Sequence, residues 1–237
     1  MFARAIVAFV CVMSLTAVSG RTTVVLDEDF DIGVMPPGFV VLRGTVTVDP
    51  WGDGYALHFG VWDQSCLGFP DEYPREGDLV IVLDGTIIWG PWGDLNLVYY
   101  DQMDTEWCDL LLNGYRADLY PIGSDNPDYR LIRFEEDGGK LTLLDSHPSE
   151  ITPGRPFHVE YQFLADGSIR VFVDYIQKLE SVDSAFSSGF ITLRSWDEIW
   201  VDNIRVCVGP TAVQECGPLF ADSFESGDTS AWSATVP

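Results

Sequence analysis

Residues 151–206 constrain the fold most, because they break into short alternating runs separated by turn residues. Pro153-Gly154 leads into an alternating run, Phe157–Phe163. Asp166-Gly167 then turns the chain into residues 169–173, and the residues around Asp174 turn it again toward 177–179. Gly189 opens residues 190–194, and residues 199–206 close the series with Asp202-Asn203 inside them. Asp-Gly between two strand-like runs predicts a hairpin, with positive φ at both central residues of a type I′ turn. Strands this short and this regularly spaced predict an antiparallel sandwich or barrel.

The rest of the chain continues that rhythm. Strands are expected over residues 22–26, 39–42, 45–48, 55–59, 79–83, 95–100, 108–112, 129–134 and 141–144. Residues 60–77 read as a long irregular segment with Pro70, Pro74 and Cys66, and Asp84-Gly85 reads as the end of a strand. No window sustains a 3.6-residue apolar period, so no long helix is expected. The fold class read from these patterns is all-β, a two-sheet antiparallel β-sandwich.

The ends carry a different message. Arg4, the apolar residues 5–12 and the small residues Ala17-Val18-Ser19 form the pattern of an export signal over residues 1–20. The apolar run is too short to span a bilayer, and no later segment is apolar enough to do so. A β-sandwich is expected over 21–209, with a boundary near Gly209-Pro210 and a polar tail over 210–237. The chain carries 37 acidic and 13 basic residues, a formal charge of −24. Such a chain repels nucleic acid and anionic lipid. Removal of Cys11 with the leader leaves Cys66, Cys108, Cys207 and Cys216. Four cysteines in an exported chain allow two disulfides in three connectivities, and locality favours Cys207–Cys216 and Cys66–Cys108. Zinc is excluded on spacing, since no CxxC or Cys/His cluster occurs.

The order of these segments resembles the second half of a concanavalin A-like lectin/glucanase jelly roll (laminin G-like). The matching pieces are Pro153-Gly154, Phe157-Val159-Tyr161, Asp166-Gly167, Val171-Phe172-Val173-Asp174, Gly189-Phe190-Ile191 and Val201-Asp202-Asn203-Ile204. One departure is Tyr175, which stands where such domains usually place Gly after Val-Asp. The resemblance implies a sugar-related or adhesive role for a secreted bacterial protein. The tail resembles a terminal FxDxFESGDTSxWS segment of secreted bacterial proteins, which implies sorting or surface attachment. A disordered end is the alternative reading.

The family's laminarinase-type glucanases carry Glu-x-Asp-x-x-Glu on one strand. Here Asp197-Glu198-Ile199-Trp200-Val201-Asp202 has the wrong spacing, so that catalytic motif is absent. Glu160, beside His158 and Gln162, is expected on a solvated strand face. No Gly-x-Ser-x-Gly is present to support a nucleophilic serine. For a metal, Asp29, Asp31 and Asp202 could meet around a structural calcium if the first and last strands pair. Turn and cap hydrogen bonds by the same aspartates are the alternative. Trp89 and Trp92 flank Gly90-Pro91, with Asp94 and Asn96 close by, and Trp62 and Trp107 sit in other loop-like segments. Flat aromatic faces beside polar side chains suit a sugar ring, whose CH face is apolar and whose edge is polar. The alternative is that these tryptophans anchor loops, while Trp200 is expected in the core. His58 and His147 are expected to be structural or solvent-facing. The expected function is a secreted, noncatalytic domain that binds carbohydrate or another extracellular polymer. A glycoside-active enzyme of the same fold and a surface adhesion or matrix protein are the rival readings.

Overall fold

A computed structural model describes residues 22–60, 64–74, 77–89, 93–100, 113–135, 139–186 and 188–216. Along the chain run β1 (Thr23–Glu28), β2 (Val40–Arg43), β3 (Val46–Trp51), β4 (Gly54–Phe59) and β5 (Ser65–Pro74). There follow β6 (Asp78–Trp89), β7 (Leu95–Tyr100), β8 (Gly114–Leu119), β9 (Asp128–Glu135) and β10 (Lys140–Pro148). The last strands are β11 (Phe157–Phe163), β12 (Ser168–Val173), β13 (Ile176–Val182), β14 (Ser188–Ser195) and β15 (Glu198–Gly209). One short helix, α1 (Ala212–Cys216), comes after them.

Two antiparallel sheets pack face to face. The larger runs β13-β12-β11-β6-β15-β4-β3, with β1 also paired to β15. The smaller runs β10-β9-β8-β7-β14-β5-β2. Strand alternation builds the core between them. Leu79, Ile81 and Leu83 of β6 face inward with Val159 and Tyr161 of β11, and meet Leu97 and Tyr99 of β7. These are β-branched, aliphatic and aromatic side chains on one side of each pleat, as a half-buried sheet requires. A second, smaller apolar cluster forms on the other face of the larger sheet, where Val80 and Cys207 pack with Ala212 and Cys216 of α1.

Several expectations change at this level. Residues 60–77 contain the strand β5, which pairs with β14 and β2. Its pairing shifts register between Phe190 and Thr192 of β14, opposite the stretch that holds Pro70. Such an irregularity accommodates a residue that cannot donate to the ladder. Asp84-Gly85 does not end a strand, because β6 continues to Trp89. Glycine serves packing there: a Cβ on Gly85 would lie 2.9 Å from the Phe157 ring. The strand β8 has no counterpart in the sequence reading, and residues 108–112 lie outside the described residues.

The type I′ turn expected at Asp166-Gly167 is found at the next hairpin instead. At Asp166-Gly167 only Gly167 has positive φ, at 91°. The Gly167 N–H donates to Leu164 O, and Ser168 N–H donates to Asp166 Oδ1. This is a turn followed by one left-handed glycine rather than a type I′ pair. The type I′ pattern falls instead on Asp174 and Tyr175, with φ of 49° and 66°.

Cys207 and Cys216 form a disulfide that ties α1 to β15. Thr211 N–H donates to Thr22 Oγ1, so the packed body extends past the Gly209-Pro210 turn. Cys66 is buried, and Cys108, its expected partner, lies outside the described residues. So do the expected export signal, residues 1–20, and the tail after Cys216. Among the described residues no helix is long and apolar enough to cross a membrane.

Candidate functional site

A cleft opens on the outer face of the larger sheet, opposite the core. Sheet order builds it from residues far apart in sequence. Asp202 on β15 is the register partner of Asp84 on β6, which is the register partner of His158 on β11. Beside that row, Trp200 on β15 pairs with Thr86 on β6 and His58 on β4. The β12–β13 turn contributes Asp174 and Tyr175, and the edge strand β3 contributes Trp51. The enclosed volume is about 470 Å³, within the range of small-ligand pockets.

Aromatic rings form two of its walls. Trp51 stacks on Trp200 at 4.4 Å between ring centroids, and His58 also stacks on Trp200, at 4.2 Å. His58 is fixed in turn through Nδ1 to Asp49 Oδ2 at 3.1 Å. Tyr175 stacks on His158 at 4.5 Å. Positive φ at a tyrosine is strained, and such strain concentrates where a ligand or switch requires it.

The floor is polar. His158 Nδ1 lies 2.8 Å from Asp84 Oδ1, and Asn203 Nδ2 donates to Asp84 Oδ2 at 2.9 Å. An ionised carboxylate only accepts, so Nδ1 of His158 carries the proton in that contact. His158 N–H donates to Asp174 Oδ1, and Asn203 N–H donates to Asp202 Oδ1. Nε2 of His158 and Nε1 of Trp200 are buried without hydrogen-bond partners among the described residues. A buried indole N–H without an acceptor is costly, and a ligand oxygen or ordered water would satisfy it.

The two facing carboxyls titrate in opposite directions. Burial disfavours the ionised form of Asp84, but hydrogen bonds from His158 and Asn203 outweigh it and hold the carboxyl below its usual range. Burial pushes Asp202 up, and the charges of Asp84, Asp29 and Asp31 push it further.

Asp29, Asp31 and Asp202 are thus brought within electrostatic reach of one another, as pairing of β1 with β15 allows. Asp29 Oδ1 is occupied by the backbone N–H of Asp31, a turn hydrogen bond. Among the described residues no three acidic, histidine or cysteine side chains are arranged to hold a metal ion. The aspartates do not fit a calcium cage as they stand.

The other expected site residues do not join this cleft, and of them Asn96 lies on the smaller sheet, in β7, just after Asp94. Trp89 is the last residue of β6, and Trp62, Trp92 and Trp107 lie outside the described residues. Asp94 and Asn96 do come together, but in a buried setting, each 1 % exposed. Asn96 Nδ2 donates to Asp94 Oδ2 at 2.6 Å, and Trp196 N–H donates to Asp94 Oδ1. Asp118, also buried, pairs with Arg116 at 2.6 Å. Burial raises Asp94 to about 7, although Arg194 and the hydrogen bonds from Asn96 and Trp196 oppose the shift.

Two further expectations are corrected. Glu160 is not on a solvated face: it is 1 % exposed and accepts from Gln162 Nε2 at 2.5 Å. Its ladder partner Val82 packs against the apolar cluster under α1, which removes water from that region. Trp200 is not core but half-buried in the cleft, because even-numbered residues of β15 at that point face outward. The sequence reading missed Trp51, Asp84, His158 and Tyr175. Tyr175 carried a signal, as a bulky residue where the resembled domains place glycine.

No family model matches the chain, and no curated protein matches it. Solved structures do share its architecture. The carbohydrate binding module CBM66 from Bacillus subtilis superposes with a TM-score of 0.53 at 19% identity, over 70% of this chain and 93% of that one. A Bacillus subtilis protein of unknown function with a galectin-like fold gives a TM-score of 0.59 at 12% identity, over 78% and 97%. The Emp47p carbohydrate recognition domain gives 0.58 at 11%, over 78% and 94%. The likeness defines the fold, a galectin-like, lectin-type jelly roll.

Proposed function

We propose that this is an exported carbohydrate-binding protein and that the cleft on the larger sheet is its sugar site. The observation that carries the reading is the pairing of aromatic walls with a carboxylate and amide floor. Trp51 and Tyr175 offer faces for the apolar side of a sugar ring, and Trp200 backs Trp51. Asp202, Asn203 and Trp200 Nε1 offer acceptors and donors for its hydroxyls. The solved carbohydrate binding module and carbohydrate recognition domain with this fold are consistent with that use. Export is supported by the leader pattern and by the Cys207–Cys216 disulfide. Surface attachment through the tail rests on its sequence resemblance alone.

A second reading has one specific support. Asp84 and Asp202 sit opposite each other on neighbouring strands with pKa values pushed apart, a pattern found in acid/base pairs. Glycan-array binding together with a reducing-sugar assay separates the two. Binding without release of reducing ends supports the binding protein. Turnover that is lost in both Asp84→Asn and Asp202→Asn supports the hydrolase. Neither binding nor turnover rejects both.

A further inference from the structure

We propose that the cleft selects a sugar bearing a protonated amine, as in oligomers of glucosamine whose 2-amino group is free. This rests on the reading of the cleft as a sugar site and adds the class of sugar. The charge balance of the lining carries it. Asp84, Asp174 and Asp202 line the cleft, and among the described residues neither lysine nor arginine does. Asp29 and Asp31 add negative potential from the β1 side. Arg205, farther along β15, is committed to Asp27 through two hydrogen bonds. Asp84 uses one oxygen on His158 and the other on Asn203. Asp202 uses Oδ1 on a backbone N–H, and its second oxygen has no hydrogen-bond partner among the described residues.

That arrangement discriminates among sugars. A uronate would bring a like charge to three carboxylates. A neutral ring would displace water from them without supplying a countercharge, which costs free energy. An ammonium supplies the countercharge and donates up to three hydrogen bonds. The open faces of Trp51 and Tyr175 further favour a cation held beside aromatic rings. N-acetylation would remove that charge and add bulk, so the acetylated form is discriminated against.

The test titrates the full exported chain with glucosamine hexamer, N-acetylglucosamine hexamer, cellohexaose, oligogalacturonate and spermine at physiological salt by calorimetry. Glucosamine hexamer is expected to bind at least ~10-fold more tightly than cellohexaose, a difference of about 1.4 kcal/mol. Asp202→Asn and Asp174→Asn should each bring that ratio toward one. The second variant keeps an Oδ1 acceptor for His158 N–H and tolerates positive φ. Trp51→Ala should weaken every sugar that binds. Equal binding of cellohexaose and glucosamine hexamer would overturn the amine preference and leave the sugar site standing. Spermine binding as tightly as glucosamine hexamer, or glucosamine binding unchanged in Trp51→Ala, would reduce the effect to attraction toward a strongly acidic chain and overturn it. Binding of no sugar would overturn both readings together.

Discussion

The indole of Trp51 lies over that of Trp200 at 4.4 Å with 20° between the planes. Trp51 ends an edge strand and is 36% exposed, whereas Trp200 is half-buried and stacks with both Trp51 and His58. The same contact therefore has a wet member and a supported member, and their substitutions should separate. Trp51→Ala should weaken sugar binding by about 1–3 kcal/mol with little change in unfolding free energy. Trp200→Ala should lose binding and also about 2–4 kcal/mol of stability. Calorimetric titration paired with urea unfolding checks both. Equal destabilisation by the two variants would contradict the assignment.

Tyr175 offers a trade between stability and binding. Its φ of 66° is a conformation that glycine adopts without a Cβ penalty. Tyr175→Gly should raise stability by about 1 kcal/mol, less the lost stacking on His158. It should weaken ligand binding at the same time. A variant both less stable and fully able to bind would show that the ring supports the turn and not the site.

Asp94 predicts a pH dependence. Its carboxyl is raised from 3.8 to about 7 in the fold, chiefly by burial. Between those values the folded state binds the proton more strongly than the unfolded chain does. Its stabilising contribution is complete below the unfolded pKa and declines as pH rises toward the folded value, by at most about 1.4 kcal/mol per pH unit. Asp94→Asn cannot ionise, and Asn96 can turn its Oδ1, which has no partner among the described residues, toward the new amide. Melting temperature should therefore fall less steeply from about pH 4 to about pH 7 in the variant than in the native chain. Parallel slopes would refute this.

Reduction of Cys207–Cys216 should cost about 2–3 kcal/mol, the closure entropy of a loop with a sequence separation of 9. Guanidinium unfolding of the oxidised protein and of Cys216→Ser measures it. Nonreducing peptide mapping of the same sample should recover Cys66 linked to Cys108. A free thiol at either position would remove that second pairing.

Local patterns made much of the fold legible. Phe157–Phe163 has the same bounds in the sequence reading and in β11 because alternation and a Pro/Gly turn define it locally. Asp84-Gly85 misled because its cause is tertiary: Gly85 makes room for the Phe157 ring, and Asp84 is held by partners on β11 and β15. The cleft was legible only in part for the same reason. Asp202 could be inferred from its place near the last strand. Trp51, Asp84, His158 and Tyr175 meet because β12, β11, β6, β15, β4 and β3 are neighbours in that order, which no short window encodes. Glu160 shows the limit of alternation, which assigns a face without saying whether that face is wet.

The disulfide has a mechanical consequence. Cys207 lies inside β15, where its backbone pairs with Val80 on one side and Val24 on the other. A pull on the chain beyond Cys216 enters the fold through sulfur, in the interior of a strand flanked at both edges. Tension along β15 loads two ladders in shear, many hydrogen bonds at once, rather than peeling them singly from an end. Trp200, Asp202 and Asn203 occupy the far stretch of that strand. A polymer gripped in the cleft and an anchor attached after Cys216 would thus be joined through the single strand β15.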